Sequence, residues 1–144
     1  MVYEERNTWA SLIATLVALV AYIVVIVPQA STGAVGDIDW VSAMLWTIGG
    51  SIVGAIVLSI LWGIIAGFRD KDGVGTSDER DRDIARMGDR VGQAFMVIAG
   101  LGALALCAVD ADGFWIANVL FAGFAASAVV GGVARVIAYR RGLV

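Results

Sequence analysis

Four long apolar stretches run along this chain, separated by short polar segments and by one longer charged segment. A helix needs about 20 mostly apolar residues to cross the hydrocarbon core of a bilayer. The pattern predicts four such spans. The first is Trp9 to Val27, closed by Pro28, the only proline and a residue that ends helices well. The second is Trp40 to Phe68, long enough to tilt or to project beyond the core. The third is Val91 to Val109, about 28 Å long as a helix. The fourth is Phe114 to about Tyr139, with Arg135 within its last turns. The first run is read as a span and not as a signal peptide. Residues 1–8 carry Glu4 and Glu5 beside Arg6, and the apolar stretch is too long for a signal sequence.

The connections differ in kind. The stretch from Pro28 to Asp39 is polar and glycine-containing, which predicts a loop, and Asp110 to Gly113 predicts a tight turn. Arg69 to Arg90 is longer and charged, and Asp72 to Gly75 within it is a turn without the lysine of a phosphate loop. Thr76 and Glu79 have the spacing of a capping box. From there a charged helix over residues 77–90 is expected, with Asp78–Arg82 and Glu79–Arg82 at helical pair spacings. Ile84, Met87 and Val91 form a thin apolar stripe along it. This helix either lies on the membrane surface or runs directly into the third span. The whole is an all-α chain, a single transmembrane domain expected as a four-helix bundle of two hairpins.

Composition agrees. The 144 residues are 60% hydrophobic and 16% charged, with mean hydropathy +0.86. A soluble domain carries about 45–50% apolar and about 25% charged residues. The net charge of −3 supplies no basic field for nucleic acid. Charge placement sets an expected orientation. All ten basic residues, Arg6, Arg69, Lys71, Arg80, Arg82, Arg86, Arg90, Arg135, Arg140 and Arg141, fall on one side of the four spans. The opposite turns hold only Asp37, Asp39, Asp110 and Asp112. The positive-inside rule then puts both termini and the long connection in the cytoplasm. Trp40 and Trp115 mark the outer boundary; Trp9, Phe68 and Tyr139 mark the inner one.

The halves of the chain are weakly alike. Glu5-Arg6 recurs at Glu79-Arg80, Asp37 at Asp110, and Phe68-Arg69 at Tyr139-Arg140. Parallel repeats of this kind build some transporters. Any hairpin that enters and leaves on the same side also wants this order of charge, span, turn, span and charge.

Chemistry is sparse. Histidine is absent, which removes the commonest general base and metal ligand. Cys107, the only cysteine, sits in an apolar run, where it behaves as a small hydrophobe. No ionisable residue falls at mid-depth of a span. Arg135 is the nearest, expected to snorkel toward the cytoplasmic headgroups rather than to form a buried ion pair. Gln93 and Asn118 are the notable span amides, suited to bonding a neighbouring helix. The outer aspartates are hard oxygen ligands without the spacing of a cation loop, and no catalytic, cofactor or metal site is expected. Small residues recur at helical spacing, which lets helix backbones approach closely. In the second span these are Gly50, Gly54, Ser59, Gly63 and Gly67, in step with Ser51 and Ala55. Gly88 and Gly92 stand at the entry of the third, and Gly123, Ser127 and Gly131 line the fourth. They serve packing within the chain or contact with a partner.

YEER at the start, SDERDRDI before the third span and the DADGFW turn before the fourth resemble a family of small, uncharacterised bacterial integral membrane proteins with a DERD-type cytoplasmic motif. The resemblance implies four spans and a bacterial inner-membrane location, and no activity. The resulting expectation is a non-enzymatic accessory or regulatory subunit without cofactors. It would sit in the lipid bilayer and contact another membrane protein, or itself, through Asp78, Glu79, Arg80, Arg82 and Arg86. The alternative is a small homo-oligomeric transporter or channel.

Overall fold

The structure, a computed structural model, describes residues 3–32, 38–67 and 79–141, apart from the side chains of residues 3, 4, 6, 32, 66 and 67. These residues form four α-helices: α1 (Tyr3–Thr32), α2 (Trp40–Gly67), α3 (Glu79–Ala108) and α4 (Gly113–Arg141). All four are long and apolar enough to cross a membrane. Their outward faces carry residues such as Val24, Leu45, Trp46, Ile98 and Leu104, each more than three-fifths exposed. An apolar surface this continuous is suited to lipid and not to water.

One expected boundary moves. Pro28 does not end α1, which continues to Thr32 with the proline inside it. The ring removes only one N–H, close to the end of the helix. Nearby side chains bond the last carbonyls: Gln29 Nε2 donates to Val25 O at 3.0 Å and Ser31 Oγ to Pro28 O at 2.8 Å. Proline is tolerated in membrane helices where polar groups compensate in this way. At the charged junction, of the two arrangements expected, the charged helix runs directly into the third span: it is the first part of α3, continuous from Glu79 to Ala108. Thr76 of the expected capping box lies outside the described residues.

The aspartates at the opposite end shape the helix termini. Asp39 Oδ1 accepts the Ser42 N–H at 3.3 Å and Asp112 Oδ1 accepts the Phe114 N–H at 2.8 Å. Both are N-cap bonds, one for α2 and one for α4. The α3–α4 turn closes through Asp110 N–H to Cys107 O (3.2 Å) and Ala111 N–H to Leu106 O (3.0 Å). This is the paired bonding of a Schellman cap, with Asp110 at φ 52° in the position usually held by glycine.

Packing is uneven. The helices adjoin in the order α2, α1, α4, α3, with the α3–α4 contact the most extensive. α3 and α4 run antiparallel with their backbones close together. A Cβ added to Gly123 would collide with the Ala99 methyl, one on Gly92 would sit 2.8 Å from Ser127 Oγ, and one on Gly131 would sit 2.9 Å from Gly88 O. α1 joins this pair through α4. At the aspartate end Tyr22, Ile26, Ile38 and Phe114 form a buried cluster, flanked by Trp40, Ala43, Met44 and Phe121. Tyr22 donates to Asn118 Oδ1 at 2.8 Å and its ring lies 4.5 Å from that of Phe121. α2 is the outlier. It packs along α1 and reaches α4 through the edge-on Trp40–Phe114 contact at 6.4 Å, and its apolar window has no buried residue.

Candidate functional site

Apart from the Tyr22–Asn118 bond, the polar side chains seen to meet between helices among the described residues gather toward the arginine-rich end. There the narrow α3–α4 seam opens beside α1 into a cleft of about 330 Å³. Thr8 and Ser11 line it from α1, Asp89 from α3, and Ser127 and Arg135 from α4; Leu12, Phe124 and Ala128 close its apolar depth. Glycine makes the arrangement possible. Arg135 passes across α3 over Gly88, where a Cβ would lie 2.5 Å from its Nε and 2.9 Å from its Cδ. Past Gly88 the guanidinium reaches Asp89, and its Nη2 donates to Asp89 Oδ1.

The two partners are unequally placed. The Arg135 side chain is one-third exposed and Asp89 is 70% exposed. Arg135 Nε is buried and has no hydrogen-bond partner among the described residues. Arg135 does pair with an acid, across helices, but at the rim of the fold with an exposed Asp89 and not as a buried ion pair. Beside the cleft, the Arg140 guanidinium lies over the Trp9 ring, 5.6 Å from its centroid, and ties the end of α4 to the start of α1.

Two larger hollows are apolar. One, of about 440 Å³, lies between α1 and α2 and is bordered by Trp46, Gly50 and Gly54. The other, of about 490 Å³, lies among α1, α2 and α4 and is lined by Met44, Phe121 and Phe124. Neither contains a charged side chain.

The residues singled out from the sequence fall into separate places. Gly123, Ser127 and Gly131 lie in the α3–α4 seam, facing Ala99, Gly92 and Gly88. Gly50, Gly54 and Gly63 are not in close contact with another helix: a Cβ at each meets nothing within 4 Å, and Gly50 and Gly54 look onto the hollow between α1 and α2. Ser59 does make a contact, donating to Asn7 Oδ1 on α1. Gly67 ends α2, and its surroundings, like Asp78, lie outside the described residues. Glu79, Arg80, Arg82 and Arg86 are exposed on the first turns of α3. The Asp83–Arg86 pair at 3.4 Å is an exposed i,i+3 contact. This charged segment is not solvated all round, because Asp81 is 8% exposed and Ile84 fully buried. Asn118 bonds α1, whereas Gln93 is exposed. Asp89 was not distinguishable in sequence from the other acids of its run; its significance comes from the α3–α4 register. Among the described residues no group of three potential metal ligands comes together.

Comparison with protein-family models, with curated proteins and with solved structures finds no match in any of the three.

Proposed function

We propose that this chain is a non-enzymatic inner-membrane protein of bacteria, an accessory or regulatory subunit that works by binding another membrane protein. Its termini and the start of α3 face the cytoplasm in this reading. The positive-inside rule supports that orientation, because the described basic residues collect at one end of the helices and the aspartates Asp39, Asp110 and Asp112 at the other.

The observation that carries the proposal is the position of α2. It is a 28-residue apolar helix at the edge of the fold, and Gly50, exposed, and Gly54 and Gly63, half-buried, each have room for a side chain and no close neighbour. Small residues favour close helix approach, in a solvent where apolar surface alone drives no association. Glu79, Arg80, Arg82 and Arg86 supply a second contact outside the bilayer, where charge selects among partners.

The test is a photo-crosslinking residue placed at Gly54 in cells, with Leu104, on the outward face of α3, as the control position. A discrete heavier adduct from position 54 and none from position 104 is the expected result. It should disappear when Arg80, Arg82 and Arg86 are all reversed to Glu. An adduct of twice the chain's mass moves the reading to a homo-oligomer, the form expected of a small transporter or channel, and flux in proteoliposomes becomes the next measurement. No adduct from position 54 sinks the proposal.

A further inference from the structure

We propose that the cleft at the arginine-rich end binds the headgroup of a phospholipid that carries both a phosphate and a primary amine. The inference assumes that the four helices cross a membrane and is independent of any protein partner. The cleft presents one carboxylate and one guanidinium, Asp89 and Arg135, with the hydroxyls of Thr8, Ser11 and Ser127 around them. That set is electrically neutral as a whole and has an anionic and a cationic end. It matches a zwitterionic headgroup better than a purely anionic one, which Asp89 would repel.

Placement favours a lipid. Asp89 stands nineteen positions before the end of α3 at Ala108, about 28 Å along a helix. This puts it near one boundary of an apolar core about 30 Å thick. Phosphates and headgroup amines of the lipids occupy that level. α1 and α3 do not pack extensively on each other, and the cleft lies between them. Leu12, Phe124 and Ala128 lie deeper than the ion pair and give the upper part of an acyl chain an apolar wall. The volume, about 330 Å³, is at the low end of the roughly 300–1,000 Å³ typical of small-molecule sites.

The donors are arranged for two charged partners. Arg135 commits Nη2 to Asp89 and has Nε buried without a partner among the described residues. A guanidinium has five N–H donors, so it can also donate to a phosphate oxygen without breaking the pair. Asp89, mostly exposed, has acceptor capacity left for an ammonium N–H. Phosphatidylcholine has the same net charge as phosphatidylethanolamine but no N–H to give Asp89. Phosphatidylglycerol has the phosphate and no ammonium.

The experiment is native mass spectrometry of the purified full chain released from nanodiscs, titrated with phosphatidylethanolamine, phosphatidylcholine or phosphatidylglycerol of identical chains. Retention of phosphatidylethanolamine about tenfold above either rival is expected, the size of one charge-assisted hydrogen bond. Asp89→Asn, close in shape and able to accept from Arg135, should reduce the preference to about twofold or less, with helical content by circular dichroism unchanged. Ser127→Ala in the same cleft should weaken retention of the ethanolamine lipid while sparing the fold. Equal retention of the ethanolamine and choline lipids by the unaltered protein overturns the proposal without reference to any variant. Displacement of the lipid by soluble phosphoethanolamine at comparable concentration overturns the lipid assignment in favour of a free zwitterion.

Discussion

Arg135 crosses α3 directly over Gly88, and the two residues fit only because glycine lacks a Cβ. The stem of the arginine occupies the space an alanine methyl would need. The close approach of the backbones is repeated one turn away, where Gly131 faces the Gly88 carbonyl. Gly88→Ala is therefore expected to push the Arg135 side chain aside and weaken its pair with Asp89, at a cost of up to about 1 kcal/mol, the scale of an exposed ion pair. Gly100→Ala is the internal control on the same helix, since a Cβ there meets nothing within 4 Å. It should be neutral or slightly stabilising, because alanine is the better helix former. Unfolding of both variants in detergent, followed by circular dichroism, checks the contrast.

Gly123 and Gly54 are both glycines of apolar helices and should respond in opposite ways to enlargement. Gly123 abuts the Ala99 methyl, whereas Gly54 faces open space beside the α1–α2 hollow. Gly123→Val should lower stability by several kcal/mol or abolish the folded protein, because backbone would have to move. Gly54→Val should keep the melting profile within about 0.5 kcal/mol of the parent. In the photo-crosslinking assay, with the probe moved to Gly50, the Gly54→Val substitution should still remove the adduct. Size-exclusion chromatography and thermal unfolding distinguish the two positions.

Asp110 holds a left-handed backbone conformation at φ 52° to close α3. Residues with a Cβ meet a steric cost there that glycine does not. Asp110→Gly should stabilise the protein by about 0.5–1 kcal/mol, read as a rise in thermal midpoint. A fall would mean that the carboxylate contributes more to the turn than the backbone strain removes.

The orientation proposed here assigns Asp112 to the outer face and Asp83 to the cytoplasm. In a Cys107→Ser background, a cysteine at position 112 should react with a membrane-impermeant maleimide in intact spheroplasts. A cysteine at position 83 should react only after permeabilisation. The reverse pattern would invert the topology and reassign the charged start of α3 to the other side.

Hydropathy made the four helices legible because a bilayer imposes one demand on every span: length of apolar sequence. Their ends were less so. Pro28 was expected to stop α1, yet losing a single N–H near a helix end is a small local deficit that Gln29 and Ser31 offset at neighbouring carbonyls. Small residues announced close packing without saying where. Gly131 and Gly63 look alike in sequence, and only the choice of neighbours separates the buried seam from the open edge. The Asp89–Arg135 pair was hidden for the same reason. It joins residues 46 positions apart, and antiparallel register is not written in either residue's own segment. The aspartates at the opposite end were expected as topology markers; their use as helix caps depends on backbone direction, visible only once the turns are formed.

The order in which the helices adjoin also bears on how the chain is assembled. α4 is made after α1, α2 and α3, and it alone touches both α1 and α3 extensively. Until it is inserted, the nascent protein has an α1–α2 pair and an α3 that packs extensively on neither. A ribosome that stops before residue 113 leaves those pieces without the element that joins them. α4 acts as a keystone, and without it Asp89 has no Arg135 to meet.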